Sequence, residues 1–106
     1  MRTKTLWIKD EYLELILEGR KTIEVRVAYS NIARLEAGDY LLLNDQHLFT
    51  IRRVGRYASF NELLANEDAV TIAPDLNPDQ LRSALGEIYP PEKEALGVLA
   101  LEIAPV

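Results

Sequence analysis

The segment "LEGRKTIEVRV", residues 17–27, carries the reading of the whole chain. Five ionisable side chains, Glu18, Arg20, Lys21, Glu24 and Arg26, crowd into nine residues, interleaved with Ile23, Val25 and Val27. Upstream, Tyr12, Leu13, Ile16 and Leu17 recur at helical spacing behind Asp10, a capping residue type, and Gly19 is a natural stop. The spacing predicts a helix over about 11–18 and then a strand over about 22–27. Side chains alternate along a strand, so Thr22, Glu24 and Arg26 share one face while Ile23, Val25 and Val27 share the other. The apolar set belongs to the core. The polar set is a row of hydroxyl, carboxylate and guanidinium, and Lys21 stands at the joint where the helix has stopped. Such a joint aims a side chain into a cleft that a mid-strand position does not reach. A solvated strand face shows the same alternation, so periodicity alone leaves both readings open.

The flanking sequence supplies the rest of the fold. "TKTLWI" (3–8) reads as a strand, and Gly38-Asp39 as a turn into "YLLLN" (40–44). "LFTIRRVGRY" (48–57) is a further strand, joined to it by a turn at Asp45-Gln46-His47. Ser59 with Glu62 forms a capping-box pattern before Phe60, Leu63 and Leu64. Asn77-Pro78 repeats the helix-start logic ahead of Leu81, Leu85 and Ile88, and Pro90-Pro91 ends that helix. "GVLALEI" (97–103) is a strand apolar on both faces. Five strands with two or three short helices predict an α+β domain, residues 1–106, around a small curled sheet or barrel. Its single core is expected to hold Ile23, Val25, Leu42, Ile51, Leu63, Leu85, Leu99 and Leu101.

Composition narrows the function. At 48% hydrophobic and 27% charged, 106 residues suit one folded domain. No apolar run reaches bilayer-spanning length, and "MRTKTLWIKDEY" lacks the apolar stretch of a secretory signal. The absence of cysteine removes disulfides, thiolate metal sites and thiol nucleophiles, and fits a cytoplasmic protein. His47, the one histidine, sits in an expected turn, so neither a metal nor another cofactor is expected. The net charge of −5 argues against a broad electrostatic grip on nucleic acid. Its distribution is uneven: residues 1–56 carry ten Lys/Arg against eight Asp/Glu, residues 57–106 two against nine. Any basic surface is therefore built mainly from the N-terminal half.

"EYLELILEGRKTIEVRV" resembles the opening motif of ASCH domains: a helix, Gly-x-Lys-Thr, then a strand with a charged residue two before an Arg. "LEAGDYLLLN", "VGRYASFNELL" and "IYPPEKEALGVLALEI" are similar to later parts of the family's small stand-alone members, so the resemblance covers nearly the whole chain. It implies a β-barrel similar to the PUA fold, with a cleft that takes RNA or a nucleoside. Lys21 and Glu24 are then the candidate catalytic groups. Arg20, Thr22, Arg26, Tyr29 and Arg53 are the candidate binding groups, with Tyr29 and Tyr57 available for stacking. Some small ASCH proteins are amidohydrolases of N4-acetylcytidine that use a Lys, a Thr two residues before the Arg, and a more distant Glu. Lys21 matches the Lys, but Glu24 stands in the Thr place, and Glu67, Asp68 and Asp75 are equal candidates for the third group. Other relatives are linked to RNA cleavage. Lys, Glu and Arg side chains serve both to hold a base and to hydrolyse an amide, and recognition of RNA or a nucleoside is the leading expectation. A protein-interaction role for the acidic C-terminal half is a further class, and it would need a large exposed apolar patch. A cleft row of this kind also predicts that Lys21→Ala and Glu24→Ala abolish function with little change in stability.

Overall fold

Gly19, with φ +80°, turns the chain out of the first helix and delivers it directly into an extended segment. In the computed structural model, which describes residues 1–106, the elements follow as β1 (Thr3–Leu6), α1 (Asp10–Leu17), β2 (Ile23–Val27), β3 (Tyr40–Leu43), β4 (His47–Tyr57), α2 (Phe60–Asn66), α3 (Ala69–Ile72), α4 (Pro78–Ile88), α5 (Pro91–Glu94) and β5 (Val98–Pro105). All five expected strands are present. The five helices exceed the expected two or three because α3 and α5 are single turns of four residues, too short to show a period.

The strands form one curled sheet in the order β1-β3-β4-β5-β2. β1 runs parallel to β3, and the other neighbours are antiparallel. Curling brings the outer strands β1 and β2 toward each other without pairing them, giving a small α+β half-barrel with one open seam. A register shift between Ile51 and Arg53 marks a bulge in β4, the usual device for bending a long strand around such a curve.

Two apolar clusters replace the single core expected from the sequence. Leu99, Leu101 and Ile103 of β5 point into the barrel with Leu41, Leu43, Ile51 and Ile16 of α1. Val98 and Ala100 point outward with Ile23 and Val25, where Phe60, Leu63, Leu81 and Leu85 of the helices cover them. β5 is thus buried on both faces, as its unbroken apolar run requires. Leu42 does not belong to the core: Leu41 and Leu43 are fully buried, and Leu42 is half-buried on the opposite face. "YLLL" is apolar in either phase, so only its pairing with β4 decides which leucines turn inward.

Two local expectations are corrected as well. The β3–β4 turn centres on Asn44 and Asp45, both with positive φ (52° and 58°), and His47 is already in β4 opposite Leu43. Asp10 is the first residue of α1 and not its cap, and the Lys9 cap position makes no side-chain hydrogen bond. The caps read at Ser59 and Asn77 are present, with Asn77 and Gln80 forming a reciprocal capping box. No helix is long and apolar enough to cross a membrane.

Candidate functional site

The register of β2 against β5 sets Glu24 opposite Leu101 and Arg26 opposite Leu99. Paired residues point to the same side of a sheet, so the polar row of β2 faces the barrel interior and not bulk solvent. The row lies beside the open seam, where the interior is accessible between β1 and β2. Arg26 spans the seam by donating from Nη2 to the Trp7 carbonyl just beyond β1, at 2.9 Å.

Lys21 reaches the same place from the α1–β2 joint. Its backbone N–H, like that of Arg20, donates to Leu15 O and closes the end of α1. Thr22 is clamped on both sides, its N–H donating to Thr71 O and its carbonyl accepting from Ile103 N. Thr71 belongs to α3, so this pairing docks α3 against the joint. The side chain of Asp68 caps α3 at Val70 N, and the carbonyl of Ile72 at the other end would be an orphan. The Lys21 ammonium satisfies it: Nζ donates to Ile72 O at 2.8 Å and to Ile23 O at 2.6 Å. The third partner is the Glu24 carboxylate, with Oε1 3.3 Å from Nζ. Glu24 Oε2 accepts from Arg26 Nε at 2.7 Å. Lys21 and Glu24 are 5% and 9% exposed, so this chain of charges is largely removed from water. Burial pushes the Lys21 ammonium below its ordinary pKa, and the Glu24 carboxylate opposes that shift.

The three groups form the floor of a cleft of about 270 Å³, just under the usual range for ligand sites. Trp7, Ile8 and Lys9 wall it on the β1 side, Tyr12 on the α1 side, and Leu85, Ile88 and Tyr89 on the far side. Glu24 is the one carboxylate among the lining residues. Burial raises the pKa of Tyr89, whose ring packs 5.8 Å from that of Phe60. Trp7 is 68% exposed, an unusual position for a tryptophan without a partner.

The other sequence candidates fall elsewhere. Arg20 is exposed and donates to Asp75 at 3.0 Å, on the outer side of α1. The side chain of Thr22 does not line the cleft. Tyr29 lines an adjoining groove that shares Trp7, Arg26 and Tyr89 with the cleft. Arg53 belongs to a separate cluster, holding Glu67 through two bonds of 2.9 and 2.7 Å and Glu102 at 3.2 Å, while the Tyr57 hydroxyl also donates to Glu67. The Arg53 bonds hold the Glu67 carboxyl below its ordinary pKa, and the Glu67 bond raises that of Tyr57. Of the three acidic candidates, Glu67 is therefore committed to Arg53, Asp68 to a helix cap and Asp75 to Arg20. Sequence reading missed Trp7, Tyr12 and Tyr89 as cleft residues. The only available signal was a lone tryptophan between two lysines at a strand end. No three His, Cys, Asp or Glu side chains come together as a metal site would require.

Comparison with known proteins agrees with this architecture. The family described as ASCH domain matches residues 6–106. A crystal structure of the hypothetical protein PH0355 superposes with a TM-score of 0.91 at 27% identity, covering 100% of both chains. The solution structure of protein PF0455 from Pyrococcus furiosus gives 0.81 at 27% identity, covering 100% of this chain and 98% of that one. No curated protein matches the chain. With essentially its whole length matched, the chain belongs to the ASCH domain family.

Proposed function

We propose that the seam cleft recognises a single unpaired nucleobase, presented by RNA or by a nucleoside. The observation that carries this reading is the Glu24–Arg26 pair on the floor of a cleft walled by Trp7, Tyr12 and Tyr89. Unpaired bases are held by stacking on aromatic rings and by hydrogen bonds to their edges. Lys21 spends its three donors on Ile23 O, Ile72 O and Glu24, so it orients the carboxylate and leaves none for a ligand. Each Glu24 oxygen has accepted one bond and keeps further acceptor capacity, while Arg26 Nη1 has no partner in the fold. A free acceptor beside a free donor matches a cytosine-like edge, whose exocyclic amine donates while its ring nitrogen and carbonyl accept.

The hydrolytic reading rests on the same pair, with Glu24 taking a proton from water and Lys21 stabilising the oxyanion. It requires Lys21 to release one of its three acceptors, and no second carboxylate lines the cleft to share the proton transfers. Recognition without turnover is the better fit. The test is titration of cytidine, N4-acetylcytidine and a short single-stranded RNA, followed by the fluorescence of Trp7, the only tryptophan. Saturable quenching that Glu24→Gln weakens is the expected result. Release of cytidine from N4-acetylcytidine would move the assignment to an amidohydrolase, and no response to any of the three would overturn the nucleobase reading.

A further inference from the structure

The cleft does not end at the seam. A second groove of about 310 Å³ adjoins it at Trp7 and Arg26, both of which line the two together with Tyr89. Its own walls are Lys4 and Thr5 of β1, and Tyr29 and Asn31 from the segment after β2. Not one carboxylate lines this groove. Across cleft and groove the charged residues are Lys4, Lys9, Lys21 and Arg26 against Glu24 alone. With Lys21 buried and paired with Glu24, the cations left toward solvent along this track are Lys4, Lys9 and Arg26. The ammonium of Lys93, which lines neither cavity, lies 5.9 Å from the centre of the Tyr29 ring.

Resting on the nucleobase reading of the cleft, we infer that the ligand is a strand and not a free nucleoside. The groove holds the neighbouring nucleotide, its base against Tyr29 or the exposed face of Trp7 and the connecting phosphate on Lys4. Aromatic platforms beside a line of cations are the general means of holding single-stranded nucleic acid, because every base has a face to stack and every link a charge. A free nucleoside uses only the cleft and gives the aromatic and cationic groups of the groove nothing to bind. Stacking and phosphate contact do not require a 2′-hydroxyl, so the chemistry suits RNA and single-stranded DNA alike.

The experiment compares cytidine with the dinucleotide CpC, and deoxycytidine with dCpdC, on the intact protein by Trp7 fluorescence. The variants Tyr29→Ala and Lys4→Ala each change a residue that lines the groove but not the cleft. The expected result is that a dinucleotide binds about tenfold or more tightly than its nucleoside. Each variant should remove much of that gain and leave nucleoside affinity unchanged. Loss of Lys4 should also weaken the fall of dinucleotide affinity with added salt, since a screened cation–phosphate contact is removed. Either dinucleotide exceeding its own nucleoside, with that gain reduced in the variants, upholds the inference, and the ratio between the two dinucleotides assigns the sugar. Equal affinities for nucleoside and dinucleotide, or dinucleotide affinity unchanged in both variants, would overturn it while leaving the nucleobase reading intact. Absence of binding by all four ligands would remove both.

Discussion

Lys21 Nζ lies 3.3 Å from Glu24 Oε1, and the two side chains are 6% and 12% exposed. This pair closes the junction of α1, β2 and α3, since the same ammonium holds Ile23 O and Ile72 O. An exposed row on β2 would have made Lys21→Ala and Glu24→Ala harmless to stability. Burial reverses that expectation. Glu24→Ala leaves the buried ammonium without its counter-ion, while Lys21→Ala leaves the Ile23 and Ile72 carbonyls without their donor and Glu24 to Arg26 alone, and either should cost about 3–5 kcal/mol. For a domain of this size the thermal midpoint should fall by more than about 10 °C in either variant. The double variant Lys21→Ala/Glu24→Ala should lose less than the sum of the two. Calorimetry of the four proteins measures this directly, and additive losses would show that the pair is not coupled.

Leu99 is 1% exposed inside the barrel and Leu42 is half-buried outside it. Leu99→Ala should cost about 2–5 kcal/mol in a denaturant titration, including the cavity it leaves. Leu42→Ala should cost clearly less. Equal losses at the two positions would contradict the register of β3.

Gly55 sits in β4 beneath the Arg53–Glu67–Tyr57 cluster. A Cβ there would stand 2.6 Å from Glu67 Oε2 and 2.9 Å from the Tyr57 ring. Neither neighbour is free to swing away, because Glu67 is held by both Arg53 and Tyr57. Gly55→Ala should therefore destabilise by about 1–3 kcal/mol. Adding Glu67→Ala should reduce the cost of the alanine at position 55, with the Tyr57 ring still 2.9 Å away, and an unchanged cost would place the strain elsewhere.

Asp39 is buried at the turn before β3, where its carboxylate accepts from Arg2 N at 2.8 Å and Glu36 N at 3.0 Å. The bond from Arg2 is the main cause holding its pKa below the ordinary carboxyl value, as the Arg53 bonds do for Glu67. A carboxyl depressed in the folded state binds more protons when unfolded, so its stabilising contribution is present above the unfolded pKa and falls away in acid. Stability should decline progressively below about pH 5 as these two groups protonate. Asp39→Asn turns one acceptor into a donor facing an N–H and should cost about 1–3 kcal/mol at neutral pH. It should also flatten the acid limb of the stability profile, and a limb of unchanged slope would show that Asp39 does not titrate with folding.

Local sequence signals specified the elements and the central joint. Helical spacing, Gly19 and the alternation of "TIEVRV" are local signals, written within a few residues of the structure they specify. They were enough to place five strands, the doubly buried β5 and the cluster of Lys21, Glu24 and Arg26. Local signals do not say which face of "YLLL" turns inward, because both phases are apolar and only pairing with β4 selects one. Nor do they say that the polar row of β2 faces the barrel, a consequence of its register against Leu99 and Leu101 some 75 residues away. Tyr89 and Trp7 are 82 positions apart in the chain, and meet across one cleft because the sheet curls and α4 docks on its outer face. Arg20, Thr22 and Arg53 were plausible by type and nearness in sequence, yet salt bridges and strand direction turn their side chains elsewhere. Residue type states what chemistry a side chain offers. Closure of the sheet, driven by burial summed over distant residues, decides which side chains share a cleft.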